Sequence, residues 1–387
     1  MKIAIVRGPF LNKWEMQNFE PLLDGNEVTA FSTGSNVFPV DEIKIPVKRL
    51  FCLDNMLAPV SLKSASYFNR ATGKVFGWNY YMYGLENSLQ GYDIVNTVEL
   101  HHTFTNQVMN AKKRFGFKVA VTVWENIPFI WDKHPVRRQI KQNVINNADL
   151  FIAVTENIKK RLLIEGVAEN KIIVQNYGVD LNRFKPEIKD DELMNKFGIS
   201  KNDVVILYTG RFVWEKGIYD LLYAAKKILS DNEINIPVKF LFVGEGREKN
   251  RVIKLIDKLG LADSVKTGNN LSYNMIPKLH NLADIFVLPS IPTKSWQEQF
   301  GFVLIESMAC GKPVVTTATG SIPDVAGDAA VLIPPNDYIN LYIQLKKLIL
   351  NNTYRQESGN KSYMLAKQKY DSSMVGSKLN EIFRSMQ

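Results

Sequence analysis

Two glutamates, Glu298 and Glu306, stand with seven residues between them in Glu298-Gln299-Phe300-Gly301-Phe302-Val303-Leu304-Ile305-Glu306. The apolar run after Gly301 reads as a helix over residues 302–309. One carboxylate therefore falls on a loop and the other inside a helix, with the first, unpaired N–H groups of that helix between them. Carboxylates accept hydrogen bonds from hydroxyls, and free N–H groups take anions. The arrangement suits a polyhydroxylated, phosphate-bearing ligand such as a sugar nucleotide. The same two acids could instead work on one bond as a general acid and base, as in a glycosidase. Spacing alone allows both.

A second set supplies positive charge. Thr209-Gly210-Arg211-Phe212-Val213-Trp214-Glu215-Lys216-Gly217 follows an apolar strand and opens a helix near Gly217. Arg offers a planar fork to phosphate oxygens, and Lys adds a mobile point charge. Val243-Gly244-Glu245-Gly246 repeats the strand-then-glycine pattern. A lone Gly-x-Gly is weak evidence, but ligands of doubly wound sheets bind at such strand ends.

These residues need a scaffold that aligns strand ends. In the first half, strand signals fall at residues 2–6, 27–31, 93–98, 118–123, 150–154 and 171–174, with a basic helix at 156–165. In the second half they fall at 204–208, 239–243, 284–288, 313–317 and 330–333, with helices at 217–229, 248–259, 275–282 and 302–309. Strand–helix alternation implies parallel sheets covered by helices on both faces. The polar stretch 185–203 reads as a break. The expected fold class is α/β: two Rossmann-like, doubly wound domains, residues 1–185 and 186–371, facing each other across a cleft. A helix over about 372–387 is expected to pack back on the first. Residues 50–92 interrupt the alternation and are rich in aromatics, among them Phe51, Tyr67, Phe68, Phe76, Trp78, Tyr80, Tyr81, Tyr83 and Tyr92.

Bulk properties narrow the class. At 387 residues the chain exceeds one ordinary core and suggests two domains of about 150–200 residues. A 45% hydrophobic and 22% charged composition is that of a globular protein. No apolar run reaches the roughly 18–20 residues of a membrane span. The short apolar N-terminus reads as a strand rather than a leader. Cys52 and Cys310 sit in apolar surroundings and read as reduced core residues, which points to the cytoplasm. The four His show no metal-ligand spacing. Net charge is +9, and residues 1–185 hold 23 Lys and Arg against 17 Asp and Glu. Lys112-Lys113-Arg114, Arg137-Arg138 and Lys159-Lys160-Arg161 carry much of the excess. Solvated helix faces explain such clusters, as does attraction to an anionic membrane. They are scattered and belong to no nucleic-acid-binding module.

Taken together, Gly210-Arg211, Glu215-Lys216-Gly217, the Glu298/Glu306 pair and Cys310-Gly311-Lys312-Pro313-Val314 resemble the retaining glycosyltransferases of family 4, which have the GT-B fold. Val243-Gly244-Glu245-Gly246, Leu288-Pro289-Ser290 and Gly178-Val179-Asp180 with Phe184 and Pro186 extend the likeness. The resemblance implies that Arg211, Lys216 and Glu298 are catalytic. Arg211 and Lys216 would hold the donor diphosphate, and Glu298 would meet hydroxyls of the donor sugar. Gly210, Gly244, Phe300, Gly301 and Glu306 would complete donor binding, with Glu306 on the ribose. It also implies a hexosyl transfer that retains configuration, with no metal and no cofactor. The leaving phosphate would take the acceptor's proton.

The first half resembles the family less closely. Arg7-Gly8-Pro9-Phe10 replaces a Gly-Gly loop, and Val98-Glu99-Leu100-His101-His102 and Val123-Trp124-Glu125-Asn126 end the next strands. Gly8, Glu99, His102 and Glu125 are the acceptor-side candidates, although a His here can equally cap a helix. The expected partners are a nucleotide-sugar donor, UDP- or GDP-linked, and a glycan or lipid-linked acceptor, with peripheral contact to anionic membrane at the inner face. Surface glycan or glycolipid assembly is the expected role. The alternatives are a phosphorylase of the same fold that makes sugar 1-phosphate, and a catalytically silent nucleotide- or glycan-binding protein.

Overall fold

The computed structural model describes residues 1–40, 42–52 and 80–387. Of the aromatic-rich stretch, Tyr67, Phe68, Phe76 and Trp78 lie outside the described residues. The chain forms two compact units, one of Met1–Tyr177 with Ser372–Gln387, the other of Gly178–Asp371.

The first unit carries strands β1 (Lys2–Gly8), β2 (Glu27–Thr33), β3 (Val47–Leu50), β4 (Ile94–Val98), β5 (Lys118–Val123), β6 (Leu150–Ala153) and β7 (Ile172–Val174). They form one sheet in the order β3-β2-β1-β4-β5-β6-β7, every pairing parallel. β4 is buried throughout and β1 nearly so, as strands covered on both faces must be. Helix ends follow local chemistry. Thr155 Oγ1 accepts from Ile158 N and starts the helix Glu156–Ile164. The C-terminal helix Ser372–Ser385 belongs to this unit. Asn26 Nδ2 donates to Asn380 Oδ1 at 3.2 Å, tying that helix down.

The second unit holds β8 (Val204–Thr209), β9 (Val238–Val243), β10 (Val265–Gly268), β11 (Ile285–Leu288), β12 (Val314–Thr317) and β13 (Ala330–Ile333). Their order is β10-β9-β8-β11-β12-β13, again all parallel. The helix Ile218–Leu229 buries Ile218, Leu221, Leu222, Ala225 and Ile228, the stripe that a 3.6-residue period lays against a sheet. The stretch 185–203, read as a break, contains the helix Asp191–Phe197, N-capped by Asp190 and inside this unit. The chain passes between the units at Tyr177–Gly178 and at Asp371–Ser372. The two passages are linked by a bridge between Val179 and Asp371. Two Rossmann-like parallel sheets with helices are the architecture of the GT-B fold.

Both sheets reverse direction at one place, between β1 and β4 in the first and between β8 and β11 in the second. Loops leaving adjacent strands part there and open a crevice at the carboxyl ends. Gly8 and Glu99–His102 lie at the first reversal, Gly210–Lys216 and Pro289–Gly301 at the second.

Candidate active site

In the second unit, β8 ends at Thr209 and the chain turns through Gly210 to Arg211. Arg211 is exposed, and among the described residues its guanidinium has no hydrogen-bond or ion-pair partner. Its backbone carbonyl accepts from the Tyr208 hydroxyl at 2.7 Å, which fixes the turn beneath the side chain. Burial first, then the charge of Glu298, pushes the Tyr208 hydroxyl well above the usual phenol range. That phenol therefore stays a neutral donor. A single 3-10 turn, Trp214–Lys216, precedes the helix Ile218–Leu229.

Lys216 and Glu298 lie far apart in sequence and meet here. Lys216 Nζ is 2.6 Å from Glu298 Oε2, and Ser290 Oγ donates to the same oxygen at 2.8 Å. The Lys216 ammonium also sits 5.0 Å from the centre of the Trp296 ring, a cation–π contact. Glu298 is 7% exposed. Burying a carboxylate is costly unless it is paired and hydrogen-bonded, as this one is. Its backbone is held as well: Ser321 N donates to Glu298 O at 2.9 Å. A Cβ at Gly320 would stand 2.1 Å from that oxygen, so this close approach requires glycine.

Gly244 follows β9, and a Cβ there would lie 1.9 Å from Gly210 O at φ +151°. Only glycine lets the two candidate loops touch. Lys249 Nζ ties the end of β9 to the end of β10, bonding Gly244 O at 3.1 Å, Glu245 Oε1 at 2.6 Å, Gly268 O at 3.3 Å and Asn269 Oδ1 at 2.5 Å. Gly301, at φ +82°, caps the helix Phe302–Ala309, and Phe300 is buried beside it. Glu306 is on that helix and 4% exposed. Among the described residues its carboxylate accepts no hydrogen bond, and its Oε2 lies 3.5 Å from His280 Nε2.

In the first unit Glu99 follows β4 with φ +62°, a backbone state unusual for a non-glycine residue. Its Oε1 accepts from Trp124 N at 2.8 Å and from Glu125 N at 2.9 Å, joining the ends of β4 and β5. Burial, and to a lesser degree Glu125, pushes the Glu99 carboxyl up to about 7 against the pull of Arg161 and the two N–H groups. Burial also raises Glu125, whose Oε1 accepts from Ile127 N at 3.0 Å. His102 stands at the N-cap of the helix Thr103–Phe115 but makes no side-chain capping bond. It stacks on Phe104 at 4.8 Å and on Phe10 at 5.5 Å. Burial, then Arg137, holds His102 down to about 3. Gly8 abuts the same Phe104 ring, 2.8 Å from where its Cβ would be. Gly8 thus groups with His102, and Glu99 with Glu125. His101 lies against Trp131 at 4.1 Å and is held well below its usual range by burial and by His102. Behind this set, Arg7 is fully buried between Glu15, at 2.8 Å, and Asn96, at 2.7 Å, and locks β1 to β4.

Reading the sequence assigned no role to Ser290, Trp296, Tyr208, Lys249, His280 or Gly320. Leu288-Pro289-Ser290 ends a strand beside the reversal, which was the available signal for Ser290. Trp296, His280 and Gly320 depend on contacts across 22 to 80 positions, whereas Tyr208 and Lys249 also bond within five positions. Among the described residues no group of three or more His, Cys, Asp or Glu is placed to hold a metal ion. No described helix is long and apolar enough to cross a membrane.

Residues 189–364 match the family model described as Glycosyl transferases group 1. Fold and match define the class: a chain of GT-B fold whose second unit carries the match to that family model. The chain is similar to the N-acetyl-alpha-D-glucosaminyl L-malate synthase of Bacillus anthracis, 26% identical over 280 residues, 70% of each chain. It is 27% identical over 243 residues, 61% of each chain, to the capsular polysaccharide biosynthesis glycosyltransferase CapM of Staphylococcus aureus. It spans about half the length of several other curated relatives. Anabaena Alr3699/HepE, whose crystal structure is in complex with UDP, superimposes with a TM-score of 0.77 at 19% identity, covering 100% of both chains.

Proposed function

We propose that the protein is a retaining, metal-independent glycosyltransferase that moves a hexose from a nucleoside-diphosphate sugar to a hydroxyl acceptor. The observation that carries this reading is the Lys216–Glu298–Ser290 cluster beside the exposed Arg211, unpartnered among the described residues. Arg211 and Lys216 bind the donor diphosphate. Lys216 then divides its charge between phosphate and Glu298, which frees a Glu298 oxygen to accept from a sugar hydroxyl. As the glycosidic bond breaks, both cations stabilise charge on the departing diphosphate. That phosphate takes the acceptor's proton as the acceptor hydroxyl adds on the same face, so configuration is retained. Glu306, whose carboxylate accepts no hydrogen bond among the described residues, accepts from the ribose hydroxyls, and the backbone of Gly210, Gly244, Phe300 and Gly301 shapes the donor site.

Uridine diphosphate is the nucleotide to test first, since the superimposable Anabaena protein holds UDP. Thermal-shift titration with UDP, GDP and their sugars is expected to raise the melting point with one base selectively. Donor hydrolysis should follow with that base. No shift with any nucleotide, together with sugar 1-phosphate released from a disaccharide by inorganic phosphate, would return the phosphorylase reading.

Acceptor binding is proposed for the first unit, at Gly8, Glu99, His102 and Glu125. We place the enzyme in glycan or lipid-linked glycan assembly in the cytoplasm, in keeping with the role named for the Staphylococcus aureus relative. Peripheral contact with anionic membrane rests on the basic clusters. Part of their charge is already committed: Lys112 pairs with Asp149 at 2.7 Å and Arg161 with Glu165 at 2.9 Å. Weak, salt-sensitive binding to anionic vesicles is expected. Salt-insensitive binding, or none, removes that partner.

A further inference from the structure

We propose that His280 is the positioning residue of the donor site, holding Glu306 so that its free oxygen meets the ribose. His280 lies on the helix Ile276–Leu282 and is fully buried. Neither ring nitrogen has a hydrogen-bond partner among the described residues. An imidazole left so deep with both nitrogens unpaired is costly, and buried polar groups of this kind call for an explanation. Nε2 lies 3.5 Å from Glu306 Oε2. That is just beyond a good hydrogen bond. The ring is braced against Phe286, with centroids 5.4 Å apart, and lies 6.4 Å from the Phe184 ring. It is therefore rigid, and the flexible partner is the glutamate.

A carboxylate has two oxygens and about four acceptor positions. If Nε2–H takes one position on Oε2, the carboxylate plane is fixed and Oε1 remains for the ligand. Without the imidazole the carboxylate rotates about its last torsion, which is broad and roughly two-fold. The ribose bond must then be made at the cost of ordering that rotor. Binding of a ribose draws Glu306 into the last few tenths of an ångström, and His280 then gains the partner it lacks. This inference rests on the proposed role of Glu306 and adds the residue that makes that role directional.

The test is calorimetric. UDP and 2′,3′-dideoxy-UDP are titrated into the wild type, His280→Phe and Glu306→Ala, or the guanosine pair if GDP binds more tightly. In the wild type the ribonucleotide is expected to bind more tightly. His280→Phe keeps an aromatic ring and removes both nitrogens. It should cut the ratio of the two affinities by about fivefold to tenfold, a change in keeping with one ordinary hydrogen bond. Binding of the dideoxy compound should stay as it was. A purely structural role for His280 would weaken both ligands alike and leave the ratio unchanged, and that result overturns the proposal. Should His280→Phe fail to fold, His280→Gln is compared with His280→Leu. The ribose preference is expected to survive only with the N–H donor of Gln, and equal preference in the two overturns the proposal. Glu306→Ala separates the two layers. If it keeps the wild-type ratio, Glu306 is not the ribose ligand and the site reading fails. If it loses the ratio while His280→Phe keeps it, only the role of His280 fails.

Discussion

The two units reverse their sheets at the same topological place, yet they furnish it with opposite chemistry. After β8 the chain leaves Arg211 exposed and pairs Lys216 with Glu298, so the crevice of the second unit carries full charges. After β4 it buries Glu99, His101 and His102, and burial favours the neutral form of each. A diphosphate needs permanent cations that can be reached. A hydroxyl acceptor needs hydrogen-bonding groups that neither repel nor strip its proton outright. One fold, used twice, presents cations at one set of strand ends and buried, neutral-favouring groups at the other.

The largest effect is expected on the charged side. Lys216→Ala should lower kcat/KM by about 10²–10³-fold or more. It should also lower the melting temperature, because Glu298 is left buried without its cation. Lys216→Met with Glu298→Gln should recover stability but not turnover. Turnover within a few-fold of wild type in Lys216→Ala would break the assignment of the second unit.

Glu306→Gln is expected to be milder, raising the donor Kd about tenfold while kcat at saturation changes little. Loss of turnover at unchanged donor affinity would make Glu298 and Glu306 an acid and base on one bond, and the contrast between the units would have to be redrawn.

The smallest effect on turnover belongs to the neutral side. The Glu99 carboxyl is raised in the folded state to about 7. Between the ordinary carboxylate pKa and that value, the folded protein holds a proton the unfolded chain has lost. Stability therefore falls as pH rises through this window and levels off above it. Glu99→Gln removes that loss. Its melting temperature should match wild type near pH 4.5 and exceed it at pH 8, by the equivalent of about 1–3 kcal/mol. Equal melting temperatures at both pH values would show that Glu99 is not held neutral.

Much of this frame was legible in the residues. The expected strands 118–123 and 330–333 and the helix 302–309 coincide with β5, β13 and Phe302–Ala309. Continuous apolar runs and a 3.6-residue stripe are strong signals. Two strands were missed, β3 and β10, and each lies at one edge of its sheet. Edge strands are short and carry charge, as Val47-Lys48-Arg49-Leu50 and Val265-Lys266-Thr267-Gly268 do. They lack the apolar run that marks a buried strand. The helix Asp191–Phe197 was hidden in the same way, inside a polar stretch.

By itself the sequence determined which residue types stand at the strand ends, because local pattern sets where strands stop and helices begin. Arg211, Lys216 and Glu298 were singled out on the loops that follow strands, and Glu306 on the helix Phe302–Ala309. Tertiary structure alone decided what each of them faces. Lys216 meets Glu298 across 82 positions, and Ser290 shares the same oxygen. Glu99 takes its N–H donors from the loop that follows the next strand, and His280 approaches Glu306 from another helix. Such pairings depend on the order in which strands lie side by side. Burial then determines which of the paired groups keep their charge.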